Sequence, residues 1–106
     1  MSAEDRAYIC RLLDIYGRAL SERNRDLADL YYNEDLSLAE ISENYGITRQ
    51  GVRDAIRRAV SELYTLESAL GFEKRSQRIA ALAARIASSE DMDTARALAE
   101  KITGEL

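Results

Sequence analysis

The 106-residue chain has no proline, no histidine and no tryptophan, a single cysteine and only five glycines. Each absence removes a class of behaviour. Without histidine there is no imidazole to act as a general base, a metal ligand or a switch near neutral pH. One cysteine excludes an intrachain disulfide, and nothing points to an oxidising compartment. Cys10 lies in the apolar run AYICRLLDIY and reads as a small buried hydrophobe rather than a nucleophile. Uninterrupted apolar runs are only a few residues long, so no membrane insertion is expected. The start, MSAEDRAY, lacks the basic and long apolar regions of a signal peptide, and a cytoplasmic protein is the simplest expectation. The carboxylates at 34–35 and 90–93 stand at turns and caps, their ordinary helical posts. Asp91 and Asp93 offer at most a weak cation site, and nothing resembles a calcium loop. With no phosphate-cradling loop either, the chain is expected not to be an enzyme and to carry no cofactor or metal.

What is present in quantity is Ala, Leu, Glu and Arg, with few breakers and no period-2 alternation, which predicts an all-α fold. The spacing predicts a first helix over 3–20 with a wide apolar stripe: Tyr8, Ile9, Leu12, Leu13, Ile15, Tyr16, Ala19 and Leu20. Ser21 reads as the cap of a second helix over 22–33, buried through Leu27, Leu30 and Tyr31. Ser37 with Glu40 forms a capping box for a short helix over 38–44. Gly46 stands where a helix end needs a left-handed residue, and Thr48 caps a long fourth helix over 49–70. Along that helix Val52, Ile56, Ala59, Leu63, Leu66 and Leu70 step by four and three, a heptad-like seam too short for a coiled coil. Gly71 ends it. Two further helices, over 74–88 and 92–103, carry the stripes Ile79, Leu82, Ala83, Ile86 and Ala95, Leu98, Ala99, Ile102. The division expected is a helix-turn-helix domain over 1–72 and a C-terminal helical extension over 73–106.

Charge is distributed unevenly. The net charge is −4, yet residues 1–48 hold 5 basic and 10 acidic groups whereas residues 49–58 hold 4 and 1. That balance argues against indiscriminate binding of polyanions and puts the positive charge in one place. The place follows a helix-turn-helix pattern: Ile41 and Tyr45 face inward, Gly46 turns, Ile47 plugs the corner, and Val52, Ala55 and Ile56 pack the second helix. Arg49, Arg53 and Arg57 recur every four residues on one side of that helix, with Gln50 and Asp54 beside them. Arginine bonds guanine in bidentate fashion, glutamine pairs with adenine, and aspartate accepts from cytosine. Thr48 and the helix N-terminus suit a phosphate, and Arg58, off to one side, suits the sugar-phosphate backbone. Such a helix lies in a DNA major groove with its N-terminal residues at base edges. The alternative is a solvated arginine face on an ordinary helix pair. Asp54 and the flanking Glu40, Glu43 and Glu62 repel phosphate, so any binding is expected to be weak and salt-sensitive. The six tyrosines read as core or rim packing rather than base-stacking platforms.

Residues 12–72 resemble the small bacterial YlxM-type helix-turn-helix proteins, most specifically in LYYNEDLSLAEIS followed by ITRQGVRD. Members look like region 4 of sigma-70-type transcription factors, a four-helix DNA-binding unit, with a C-terminal extension. The resemblance implies DNA contact by Thr48, Arg49, Gln50, Arg53 and Arg57. It also implies a link to the signal recognition particle pathway, because the genes neighbour those for that particle's protein and its receptor. Ser42, Gly51 and Ala55 depart from the usual pattern, and residues 73–106 take no part in the resemblance. The function expected is that of a DNA-binding regulatory protein, with an accessory factor for protein or RNA of the targeting machinery as the alternative. A homodimer is expected, with the wide stripe of the first helix and the run to Leu70 as its surfaces.

Overall fold

The computed structural model describes the backbone of residues 3–106 and the side chains from Asp5 onward; the opening residues of the start read above lie outside it. Six helices follow one another: α1 (Ala3–Tyr16), α2 (Glu22–Tyr32), α3 (Leu38–Tyr45), α4 (Arg49–Leu70), α5 (Phe72–Ser88) and α6 (Met92–Glu105). No strand occurs among the described residues. The chain divides into two compact units, one ending at Leu70 and the other Gly71–Leu106.

Polar groups in the sequence set the helix ends. Ser21 accepts from the Asn24 amide at 3.2 Å and starts α2. Ser37 and Glu40 make the reciprocal capping box of α3, at 3.1 Å in both directions. The Asp91 carboxylate accepts from the Asp93 and Thr94 amides and the Thr94 hydroxyl at the head of α6, which holds its pKa below the ordinary value. These contacts satisfy amides that a helix start would otherwise leave unpaired. Gly46 and Gly71 end α3 and α4 at φ 65° and 64°.

In the first unit α4 packs against α1, α2 and α3. Ile9, Leu12, Leu13, Tyr16 and Leu20 meet Leu27, Ala28, Tyr32, Ile41 and the inner face of α4, and Leu12, Leu27, Ile41, Val52 and Leu63 are wholly buried. Burying a Leu, Ile or Val side chain stabilises by about 1.5–3 kcal/mol relative to exposure. This cluster therefore holds α4 in place. The Tyr16 hydroxyl also donates to Glu67 on α4 at 2.7 Å.

Several packing expectations fail. The first helix does not run to residue 20: Gly17–Ala19 form a 3-10 turn and Leu20 is extended. Ala19 therefore falls outside the core, and Ile15, within α1, is exposed as well. On α2 the buried aromatic is Tyr32, not Tyr31, which stays half-buried and meets Tyr32 edge-on at 5.0 Å. Tyr45 ends α3 facing outward, 43% exposed. Cys10 is half-buried, its thiol donating to the Tyr32 carbonyl at 3.6 Å.

A clasp that local pattern does not reveal ties α1 to the end of α2. The Arg6 guanidinium lies over the rings of Tyr31 and Tyr32 at 5.1 and 5.3 Å and donates to the Tyr31 carbonyl at 2.9 Å and to Asp35 at 3.1 Å. Asp35 adopts φ 56°, a conformation disfavoured for residues bearing a Cβ. The second unit is an α5–α6 hairpin in which Leu98 is buried, while Ile79, Leu82, Ile86, Ala95 and Ile102 remain half-exposed.

Two outcomes follow for stability. A Cβ at Gly46 meets no atom within 4 Å, so Gly46→Ala carries only the conformational cost of a left-handed residue. Urea denaturation should show a loss of about 1 kcal/mol. Burial, and to a lesser degree the neighbouring Tyr31, push the Tyr32 phenol above its ordinary value of 10.0, with Arg6 opposing. The folded state then holds this proton more tightly than the unfolded one, so the contribution is complete below pH 10 and is lost as pH rises above it. In a series of urea midpoints at rising alkaline pH, Tyr32→Phe should lose stability less steeply than the wild type.

Candidate nucleic-acid interface

The turn between α3 and α4 is closed from both sides by Ser42. Its carbonyl accepts from the amides of Gly46 and of Ile47, the latter at 3.3 Å, and its hydroxyl donates to the Ile47 carbonyl. Ser42, which departs from the usual pattern, thus pairs the Ile47 carbonyl, a role the sequence signalled only as an anomaly. Thr48 starts α4: its hydroxyl accepts from the Gly51 amide at 3.0 Å, and its carbonyl from Val52 at 3.0 Å. Gly51 has a steric reason to be small, because a Cβ there would stand 3.2 Å from the Thr48 hydroxyl.

The inner face of α4 comprises Val52, Ala55, Ile56, Ala59 and Leu63. Rotation of about 100° per residue puts Gln50, Asp54 and Arg57 opposite that face, with Arg53 and Arg58 on its two flanks. Arg49 comes nearer the inner face, at the end beside the turn. Arg49, Arg53, Arg57 and Arg58 are all exposed, and among the described residues none forms an ion pair with a carboxylate. The row spans about 12 Å from Arg49 to Arg57 at 1.5 Å per residue, the length of three to four base-pair steps of a duplex.

Two of the candidate residues are joined. The Gln50 side-chain amide donates to the Asp54 carboxylate at 2.9 Å. The Arg58 Nε–H donates to the Asp54 main-chain carbonyl at 3.4 Å, so Arg58 folds back along the helix instead of toward the carboxylate. Asp54 is half-buried while Gln50, Arg57 and Arg58 are exposed. Of the acids expected to repel phosphate, Glu40 is committed to the Ser37 amide in the capping box. Glu62 lies about a quarter turn away from the outer side of α4.

Beside the turn, Glu22, Arg23, Asp26, Tyr45 and Ile47 line an open cleft of about 460 Å³. The sequence reading turned Tyr45 inward and had Ile47 plug the corner; Ile47 packs against the core, Tyr45 does not, and this cleft was not foreseen. The only signal available was the position of Tyr45 at the final residue of a two-turn helix, where little remains to cover it. No helix among the described residues is long and apolar enough to cross a membrane.

Comparison with known proteins agrees with this geometry. Residues 3–102 match the family described as "Putative helix-turn-helix protein, YlxM / p13 like". The match runs beyond the region of resemblance read from the sequence and takes in most of the α5–α6 hairpin. The UPF0122 protein of Clostridium kluyveri (strain ATCC 8527) is 45% identical over 76 residues, 72% of this chain and 68% of that one. The UPF0122 protein of Thermoanaerobacter sp. (strain X514) is 43% identical over 76 residues, 72% of this chain and 65% of its own length. That of Desulforamulus reducens is 50% identical over 60 residues, 57% and 51% of the two chains.

The Thr48 cap gives a stability test of the α4 start. Thr48→Ala should cost about 1 kcal/mol in urea denaturation, while Thr48→Ser should stay within a few tenths of the wild type.

Proposed function

We propose that this chain, which belongs to the YlxM / p13-like helix-turn-helix family, binds double-stranded DNA through the outer side of α4 and acts as a regulatory protein. One observation carries the reading: four exposed arginines with no carboxylate partner among the described residues, on the second helix of a helix-turn-helix, in a chain that is otherwise acidic. Arg53 and Arg57 serve base edges, Arg58 and the Thr48 end of α4 serve phosphates, and Arg49 bridges the two at the turn. Acidity elsewhere suppresses binding to polyanions at large and leaves the duplex a single edge to engage.

The shape of the site favours DNA over RNA. An A-form major groove is too deep and narrow for a helix, whereas the B-form groove admits one. Four arginines in one protomer make few phosphate contacts, so a second copy adds strength. The half-exposed Leu66 and the exposed Ile15 and Leu70 supply apolar surface for a homodimer that presents two α4 helices to successive grooves, about 34–36 Å apart. The link to the signal recognition particle pathway is the context that the family resemblance implies for this regulation.

Gel shifts on the DNA upstream of the protein's own gene test the proposal. Binding should weaken with salt at a log–log slope no steeper than about −4 per protomer, because each neutralised phosphate contributes about −0.9. Replacing Arg49 and Arg53 together by alanine should lower affinity at least about 30-fold, at 1–3 kcal/mol per contact. Equal shifts by wild type and double variant would remove α4 from the interface. Preference for signal recognition particle RNA over every DNA duplex would transfer the assignment to an accessory factor of the targeting machinery.

A further inference from the structure

The outermost residues of α4 are not its arginines alone. Gln50 and Asp54 lie on the same line as Arg57, opposite the buried face, and they are bonded to each other at 2.9 Å. A carboxylate oxygen accepts only, so the bond commits one of the two Gln50 amide N–H groups to Asp54 and leaves the other N–H and the Gln50 carbonyl oxygen for other partners. The second Asp54 oxygen is likewise an acceptor. Arg58 does not neutralise it, since its guanidinium bonds the main-chain carbonyl of Asp54. The helix therefore carries a carboxylate acceptor, Asp54, steadied by Gln50 on the side opposite its buried face, with arginine donors at Arg53 and Arg58 on either side.

Resting on the duplex-binding reading, we infer that the Gln50–Asp54 pair is the specificity element of this helix. It selects, on the strand it faces, a base with an exocyclic amino group in the major groove, cytosine N4 or adenine N6, and rejects guanine and thymine there. The chemistry is one of matching. Cytosine and adenine offer an N–H donor to a carboxylate, while guanine O6 and N7 and thymine O4 are acceptors. An acceptor set against the carboxylate leaves both groups desolvated and unpaired. The same negative charge keeps α4 off duplexes that lack the donor, so one residue supplies both attraction and exclusion. The arginines then supply strength and their own base contacts, and Asp54 sets the identity of the one base it faces.

The experiment selects duplexes from a randomised library with the full-length wild type. It then measures affinities for every single-base change of the selected site with wild type, Asp54→Ala and Arg57→Ala. For the wild type, one position should favour cytosine or adenine over guanine and thymine by at least about fivefold, the lower end of 1–3 kcal/mol per base contact. The cytosine and adenine duplexes, measured separately, tell which amino group is read. In Asp54→Ala that preference should fall below about twofold while the other positions keep theirs, and affinity for random duplex should rise. Arg57→Ala should keep the preference. Circular dichroism spectra superimposing on the wild type show that the variants are folded. If the wild type binds and Asp54→Ala keeps an unchanged preference profile, the inference is overturned while duplex binding stands. If Asp54→Ala simply gains equal affinity for all sites, Asp54 repels without reading, and the inference is again overturned. If neither protein binds any duplex, the functional reading falls and takes the inference with it.

Discussion

The turn at Gly46 is the constraint on which the rest depends. A left-handed residue at φ 65°, followed by Ile47 and the Thr48 cap, sends the chain out of α3 and into α4 within three residues. Ser42 holds that path with its carbonyl and its hydroxyl. Once the path is set, only one face of α4 can reach Leu12, Leu27 and Ile41, and burial of Val52, Ala55, Ile56, Ala59 and Leu63 follows. The opposite face is left in water, and that face carries the arginines. A different turn would rotate α4 and bury a charge or expose a valine. The energetic penalty of either is what ties the position of the reading edge to the core.

Electrostatics and packing agree in this arrangement. Long cations are placed where they keep their hydration. Glu40 serves the capping box, Asp54 accepts from Gln50, and the Arg58 Nε–H donates to the Asp54 main-chain carbonyl. An acidic chain can in this way present a short basic edge without the broad positive surface that makes a protein adhere to any polyanion. The Arg6 clasp across Tyr31, Tyr32 and Asp35 plays a comparable part at the other end of the unit: it satisfies a carbonyl at the end of α2 and holds α1 against it.

Much of this was legible in the sequence, because helix punctuation is a local matter. Ser21, Ser37, Gly46, Thr48, Gly71 and Asp91 act on backbone groups only a few residues away, and the structure finds each at its helix end. The heptad-like spacing of α4 named its buried face down to Leu63. Other features depended on residues far apart in the chain. Tyr32 rather than Tyr31 turns inward onto a core built from α1 and α4, residues far from it in the chain. Tyr45 emerged from the core because the turn leaves nothing above it. The break after Tyr16 rested on Gly17, one glycine in an apolar pattern that periodicity alone carries straight through.

The sequence by itself determined an all-α chain, the ends of its helices and the concentration of positive charge in residues 49–58, since propensity, capping and charge are properties of near neighbours. Tertiary structure seated the buried face that the spacing had named, and with it decided which of those charged residues stand away from the core. Repetition every four residues suggested a plain arginine stripe. Packing of α4 against three helices rotates it so that Gln50, Asp54 and Arg57 form the crest and Arg53 and Arg58 its slopes. The orientation of a helix about its own axis is set by what it buries, and that is written across the whole of the first unit rather than within the helix.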